Sequence, residues 1–183
     1  MLHLSAKALD ELNDCLSQVA KVDFDAAVRE ISAARRIALY GVGREGLQIK
    51  GLAMRLYHLG LKAIVVGDMT TPPLGAGDLL IVSAGPGAFS TVLALMRVAR
   101  TAGARVLLVT AEPQGQAAPL ADIVLPVPAQ TMANDQGSTR SVLPMGSLYE
   151  GALYILFELV ILALKDGLGV SAEAMRANHT NLE

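Results

Sequence analysis

Residues 78–91 read DLLIVSAGPGAFST. A continuous apolar run, Leu79 to Val82, gives way to a turn holding Gly85 and Gly87. The following stretch VLALMRVAR (92–100) has apolar residues at helical spacing. Short continuous apolar runs suit strands covered on both faces. A glycine turn between such a strand and a helix is a common seat for an anion. This turn is nevertheless poor in hydroxyls, with Ala84, Pro86, Ala88 and Phe89 at its centre.

The same pattern recurs along the chain. RIALY (36–40), KAIVV (62–66), RVLLVT (105–110) and DIVLPV (122–127) are further strand candidates, with helical stretches at about 46–59, 89–102 and 116–121. Alternating strands and helices call for a three-layer, doubly wound, five-stranded parallel sheet. Right-handed crossovers limit its topology, and the expected strand order is 2-1-3-4-5. Ligands then bind outside the carboxyl ends of the first and third strands. Two glycine turns meet there, GVGREG (41–46) and SAGPGAFST (83–91). Extra helices flank the sheet. Leu4, Leu9, Leu12, Leu16 and Val19 mark one over 4–20, and Phe24, Val28 and Ile31 mark another from about Asp23. The expected organisation is a single domain over 1–183. It has a helical arm at 1–35, a sheet core at 36–127 and terminal helices with a tail at 144–183.

Composition narrows the classes. Hydrophobic residues at 52% against 17% charged exceed the usual globular balance and point to burial at an oligomer interface as well as inside the fold. A net charge of -2 argues against a general grip on nucleic acid. The single cysteine, Cys15, makes no internal disulfide, reads as a small core residue, and fits a reducing, cytoplasmic setting. The N-terminus carries acids where a signal peptide needs an apolar core. GALYILFELVILALK (151–165) is too short to span a bilayer and contains Glu158, so no membrane role is expected. Glu158 needs a partner, expected across an oligomer contact.

Gly41, Gly43 and Gly46 fit G-x-G-x-x-G, and Asp68 lies where a ribose-binding acid would. Arg44 and Glu45 crowd that turn and no second domain remains, which disfavours a dinucleotide enzyme. A tight turn for helix packing is the competing structural explanation. GVGREG, AMRLYHLG (53–60), TTPPLGAGDLLI (70–81), PMGSLYE (144–150) and NHTNLE (178–183) follow in the order and spacing of the 6-phospho-3-hexuloisomerases. The chain therefore resembles that family, small members of the sugar isomerase (SIS) domain superfamily, over nearly its whole length. The resemblance implies an SIS, flavodoxin-like fold and a homotetramer (or dimer) with active sites at subunit contacts. It implies interconversion of a 3-hexulose 6-phosphate and fructose 6-phosphate through an enediol, without metal or organic cofactor.

Such a reaction needs one base to move a proton between adjacent carbons and a polar group to steady the enediolate. By resemblance Glu150 is the base. Its competing reading is a capping box with Ser147. By the same resemblance His179 helps open the ring or shuttle a proton. Against this stands the frayed terminus common to chain ends. Asn181 is a weaker polar candidate in the same tail. Arg55 is expected to pair across an interface or to reach an anionic ligand, the interface being favoured. His58 reads as a helix-end histidine, and Thr70 and Thr71 as turn formers.

The departures lie in the cradle. Where the family carries Ser-Gly-Ser-Gly-Glu-Thr, the aligned residues are Ala84, Gly85, Pro86, Gly87, Ala88 and Phe89. Ser83, Ser90 and Thr91 are the hydroxyls nearby. In the first turn, beside Gly43 and Arg44, the family's serine is Glu45. An acid in a helix's first turn is favourable by itself. Pointing inward at about 4 Å from a phosphate, it costs on the order of 4 kcal/mol at an effective dielectric near 20. Three readings follow. In the first, the chain is a phosphohexulose isomerase holding phosphate with Ser90, Thr91, the Gly85 and Gly87 turn, and Arg44 or Arg140. In the second, the same fold acts on an unphosphorylated or differently charged sugar derivative. In the third, it is a non-catalytic sugar sensor. The base motif and the tail favour retained catalysis and the two glycine turns favour altered specificity, so the expectation is an SIS-type sugar isomerase of the phosphohexuloisomerase group with its substrate left open.

Overall fold

In the computed structural model of the chain, residues 1–136 and 141–182 are described. Helices α1 (Ser5–Ser17) and α2 (Lys21–Ala33) precede strand β1 (Ile37–Tyr40). Then come α3 (Gly43–His58), β2 (Ala63–Val65), β3 (Leu79–Ser83), α4 (Ser90–Thr101), β4 (Arg105–Thr110), β5 (Ile123–Pro126), α5 (Ser147–Leu168) and α6 (Ala172–Ala177). The five strands form one sheet in the order β2-β1-β3-β4-β5, every pairing parallel.

Side-chain alternation explains why these strands read as unbroken apolar runs. Ile37, Leu39, Leu79, Ile81, Leu107 and Val109 enter one core with residues of α2, α3 and α5. Ala38, Leu80, Val82, Val106 and Leu108 enter the other with Val92, Met96 and Ala99 of α4. Each face is covered, so both periodic sets are apolar. β3, at the centre, is buried at every residue.

Three local expectations change. The stretch 116–121 forms only a 3-10 turn, Ala118–Leu120. Pro119 within it removes a donor. α3 starts at Gly43 rather than near 46, which places Arg44 and Glu45 in its first turn. This start depends on a close approach: a Cβ at Gly46 would lie 2.6 Å from the Gly41 carbonyl oxygen. α5 runs for 22 residues, long and apolar enough to cross a membrane by length and composition. Length therefore does not exclude a span. The physical ground for reading it as a core helix is burial of one face, including Leu153, Leu156, Phe157, Val160 and Leu164, in the core shared with the sheet.

Glu158 has its partner within the chain. Arg55 on α3 donates to both of its carboxylate oxygens, at 2.8 and 3.1 Å. The expected cross-subunit partner of Glu158 gives way to a bidentate pair within the chain that ties α3 to α5. Cys15 is buried in the core, and burial pushes its thiol up. Thr71 donates to the Val65 carbonyl and shapes the turn after β2.

Asp78 fixes the entry to β3. It accepts two bonds from Arg35, at 3.0 and 2.9 Å, and one from the Gly75 amide at 2.9 Å. The Arg35 hydrogen bonds hold its carboxyl below the usual value. Its contribution is thus present above the unfolded Asp range near 3.9 and lost as pH falls through the lowered folded value. Asp78→Ala is expected to cost about 1–3 kcal/mol in chemical denaturation at neutral pH. The gap from the parent should narrow in acid.

Candidate functional site

The crevice opens at the carboxyl ends of β1 and β3, where α3 and α4 leave the sheet. Its volume is about 380 Å³ and its wall includes Gly43, Arg44, Glu45, Pro86, Phe89, Thr131, Tyr149 and Glu150. That size suits a small ligand. Two glycine turns, the start of α5 and the loop before it converge here.

Glu45 points inward. It is 7% exposed, and its Oε2 accepts the Ser83 hydroxyl at 2.5 Å and the Gly85 amide at 3.0 Å. Ser83 Oγ lies 3.2 Å from the Tyr149 hydroxyl. Since Ser83 spends its proton on Glu45, Tyr149 donates to Ser83, giving a relay Tyr149 to Ser83 to Glu45. A Cβ at Gly85 would lie 2.9 Å from the Tyr149 ring and 3.0 Å from Glu45 Oε1, so glycine is what lets the three groups meet. Burial raises the Glu45 carboxyl against the opposing pull of Ser83 and Gly85. Burial, with the charge of Glu45 added, pushes the Tyr149 phenol well up.

The turn after β3 is already wired internally. The Ala84 amide donates to Val109, Gly85 to Glu45, and Gly87 to Ala84, while Pro86 has no amide proton. Thr110 donates to the Ala84 carbonyl from behind. Ser90 and Thr91 are exposed at the start of α4 and do not belong to the crevice wall. Gly87 is buried against Glu112 and Gly115.

Glu150 stands in the first turn of α5. Gly146 is the N-cap, with a φ of 81°, and Ser147 is the first helical residue, without a side-chain cap. The capping box therefore does not form. Glu150 instead pairs with Arg44, Oε2 to Nη1 at 3.1 Å. Arg44 also donates to Ser147 Oγ at 2.9 Å and to the Met145 carbonyl. Burial raises the Glu150 carboxyl, Arg44 opposes, and Glu45 adds to the rise. A carboxylate so placed can exchange protons nearer neutral pH.

His179 and Asn181 lie elsewhere in the chain. The His179 ring stacks on His58, centroids 5.2 Å apart, and Asn178 donates to the His58 carbonyl. This is the far end of α3, and the 13 residues from Glu45 to His58, at a rise of about 1.5 Å each, separate it from Glu45 by roughly 20 Å. One chain thus groups Gly43, Arg44, Glu45, Gly85 and Glu150 but does not bring the tail to them. Asp68 is exposed beyond β2 and lines no part of the crevice. Arg140 lies outside the described residues. Tyr149 and Thr131 join the wall beyond the residues expected there. The signal for Tyr149 was a phenol next to Glu150 in the segment PMGSLYE. Thr131 had none, because only the chain path carries its loop to the rim. That loop is tied back to α1 by Glu11, which accepts from the Val142 amide and the Ser141 hydroxyl.

The SIS domain model matches residues 30–155. A 3-hexulose-6-phosphate isomerase of Bacillus subtilis (strain 168) is 33% identical over 97% of this chain and 96% of its own. One of Mycobacterium gastri is 40% identical over 95% of this chain and 87% of its own. A crystal structure of a Methanococcus jannaschii protein, from which a 3-hexulose-6-phosphate isomerase function was inferred, is similar at a TM-score of 0.82. It has 30% identity and covers 98% of this chain and 97% of that one.

The raised Glu45 carboxyl has a consequence for stability. The folded state holds its proton more tightly than the unfolded state. The associated stability is complete below the unfolded Glu range near 4.3 and is lost as pH rises through the higher folded value. Glu45→Gln is expected to flatten this response. In melting curves the parent should lose ground to the variant as pH rises from about 4 toward neutrality. A gap independent of pH would contradict the burial account.

Proposed function

The chain belongs to the SIS domain family, and we propose that it is a sugar-phosphate isomerase that interconverts a 3-hexulose 6-phosphate and fructose 6-phosphate. The observation that carries this reading is Glu150, a carboxylate raised by burial and held by Arg44 inside the crevice between the glycine turns. Relatives named for that reaction match nearly the whole chain.

The chemistry follows from those groups. Glu150 removes the proton from the hydroxyl-bearing carbon beside the 3-keto group. The electron pair spreads into an enediolate, and the proton returns to the former carbonyl carbon. Arg44 keeps Glu150 in place and sets a positive charge beside the developing oxyanion. A hydroxyl proton must also pass between the two oxygens, the role assigned to His179.

Since α3 holds the two ends apart within a chain, His179 serves the crevice of a neighbouring copy. Exposed apolar side chains on α3 and α5, Leu47, Met54, Tyr154 and Leu162, support association of this kind. The assembly proposed is a homotetramer, or a dimer, with the tail of one subunit near Glu150 of another.

Glu45 favours a second reading at one point. A ligand without phosphate would meet Glu45 as a hydroxyl acceptor rather than as a like charge. A thermal-shift screen of sugar phosphates beside their unphosphorylated counterparts separates the two, and stabilisation by fructose 6-phosphate alone supports the first.

Glu150→Gln is expected to lower kcat about 10²–10⁴-fold with KM little changed; full turnover would remove Glu150 as base. Truncation after Arg176 should also abolish turnover. Mixed oligomers of the truncated chain and Glu150→Gln should regain part of it, because some sites then combine an intact Glu150 with an intact tail. No recovery in demonstrated mixed oligomers would overturn the two-chain site.

A further inference from the structure

The crevice carries an anion of its own. Glu45 Oε2 occupies the Ser83 hydroxyl and the Gly85 amide, the donors at the head of the glycine turn. The neighbouring amides of Ala84 and Gly87 are spent on backbone carbonyls, and Pro86 has none to give. A phosphate seated against this turn therefore competes with a carboxylate for the same donors.

The groups around Glu45 decide how that competition ends. On α3 itself, Arg44 is turned to Ser147, Met145 and Glu150. Among the described residues no ion pair reaches Glu45. From α5 it faces the Tyr149 phenol, through Ser83, and the Glu150 carboxylate. Beside Gly87 stands Glu112. From the loop before α5 come Thr131 and Met132, which carry no charge. Glu45 is thus buried beside acids and neutral groups, with the one described cation of the wall, Arg44, committed to Glu150; a second negative charge there is best met by taking up a proton.

We propose that Glu45 gates the phosphate end of the crevice: a sugar phosphate enters as the Glu45 carboxylate releases Ser83 and Gly85 and takes one proton from solvent. Carboxylate, phosphate dianion and proton combine into a complex in which the new Glu45 hydroxyl donates toward a phosphate oxygen. Dissociation returns the proton. The freed Ser83 hydroxyl and Gly85 amide become donors to the ligand. Glu45 is then a specificity-determining residue that penalises phosphorylated ligands increasingly as pH rises. This rests on the isomerase reading above and adds to it the state of charge in which substrate is taken.

The test is calorimetric titration of the full chain with fructose 6-phosphate at about pH 8, where a phosphate monoester with a second pKa near 6 is already the dianion. Titrations run in buffers of different ionisation enthalpy count the protons. The parent should take up about one proton per bound ligand, with Kd rising up to tenfold per pH unit above the Glu45 range. Glu45→Gln should take up none, bind more tightly, and show a flat Kd over the same range. Glu45→Ser, which leaves the cradle donors free, supplies the same comparison if circular dichroism shows the Gln variant misfolded. Equal proton uptake in parent and variants, with turnover of the hexulose phosphate intact, overturns the gate and leaves the isomerase standing. Failure of all three proteins to bind fructose 6-phosphate overturns the isomerase reading and the gate with it.

Discussion

The pairing of β1 with β3 is the contact on which the rest of the molecule depends. The strands run parallel with Ile37 opposite Leu79 and Tyr40 opposite Val82. After β1 the chain turns to one face of the sheet as α3, and after β3 to the other as α4. The connections part at this point because each face must be covered and the crossovers share one hand. The gap left between them is the crevice. Burial of both faces, with Leu39 and Ile81 on one side and Ala38 and Leu80 on the other, fixes the register.

Polar contacts then join elements that the sheet alone would leave independent. Arg44 ties the first turn of α3 to the start of α5, and Arg55 with Glu158 repeats the tie two to three turns further along. α5 is therefore held to α3 along its length, and Glu150 is presented to the crevice rather than to bulk water. The first of these ties also places the only described cation of the crevice wall beside Glu150. The two carboxylates there differ in surroundings. Glu150 has a guanidinium partner, whereas Glu45 has a hydroxyl and an amide. One carboxylate of the crevice is thus paired with a cation, and the other holds the loop after β3.

Much of this was legible in the residues. Five apolar runs announced strands covered on both faces, and strand–helix alternation announced their order. The capping box failed because Gly146, in the left-handed region at φ 81°, takes the cap and moves Ser147 inside the helix. The helix at 116–121 shrinks to the turn Ala118–Leu120 because the chain becomes extended at Ala121 to enter β5. Glu158 was expected to look outward for a partner because no one-dimensional pattern shows that Arg55, 103 residues earlier, faces it across two packed helices.

The sequence by itself determined the parallel sheet, the place of the crevice and the loss of hydroxyls from its cradle, since periodicity and residue type are local properties. Only the tertiary structure decided where Glu45 points. Its first-turn position is equally compatible with solvent and with the crevice. The choice is made by Ser83 and Gly85, 38 and 40 residues away, whose donors reach it only once β1 and β3 are paired. The separation of His179 from Glu150 has the same origin: a rigid helix of 16 residues lies between their positions, and its direction is set by the sheet it covers.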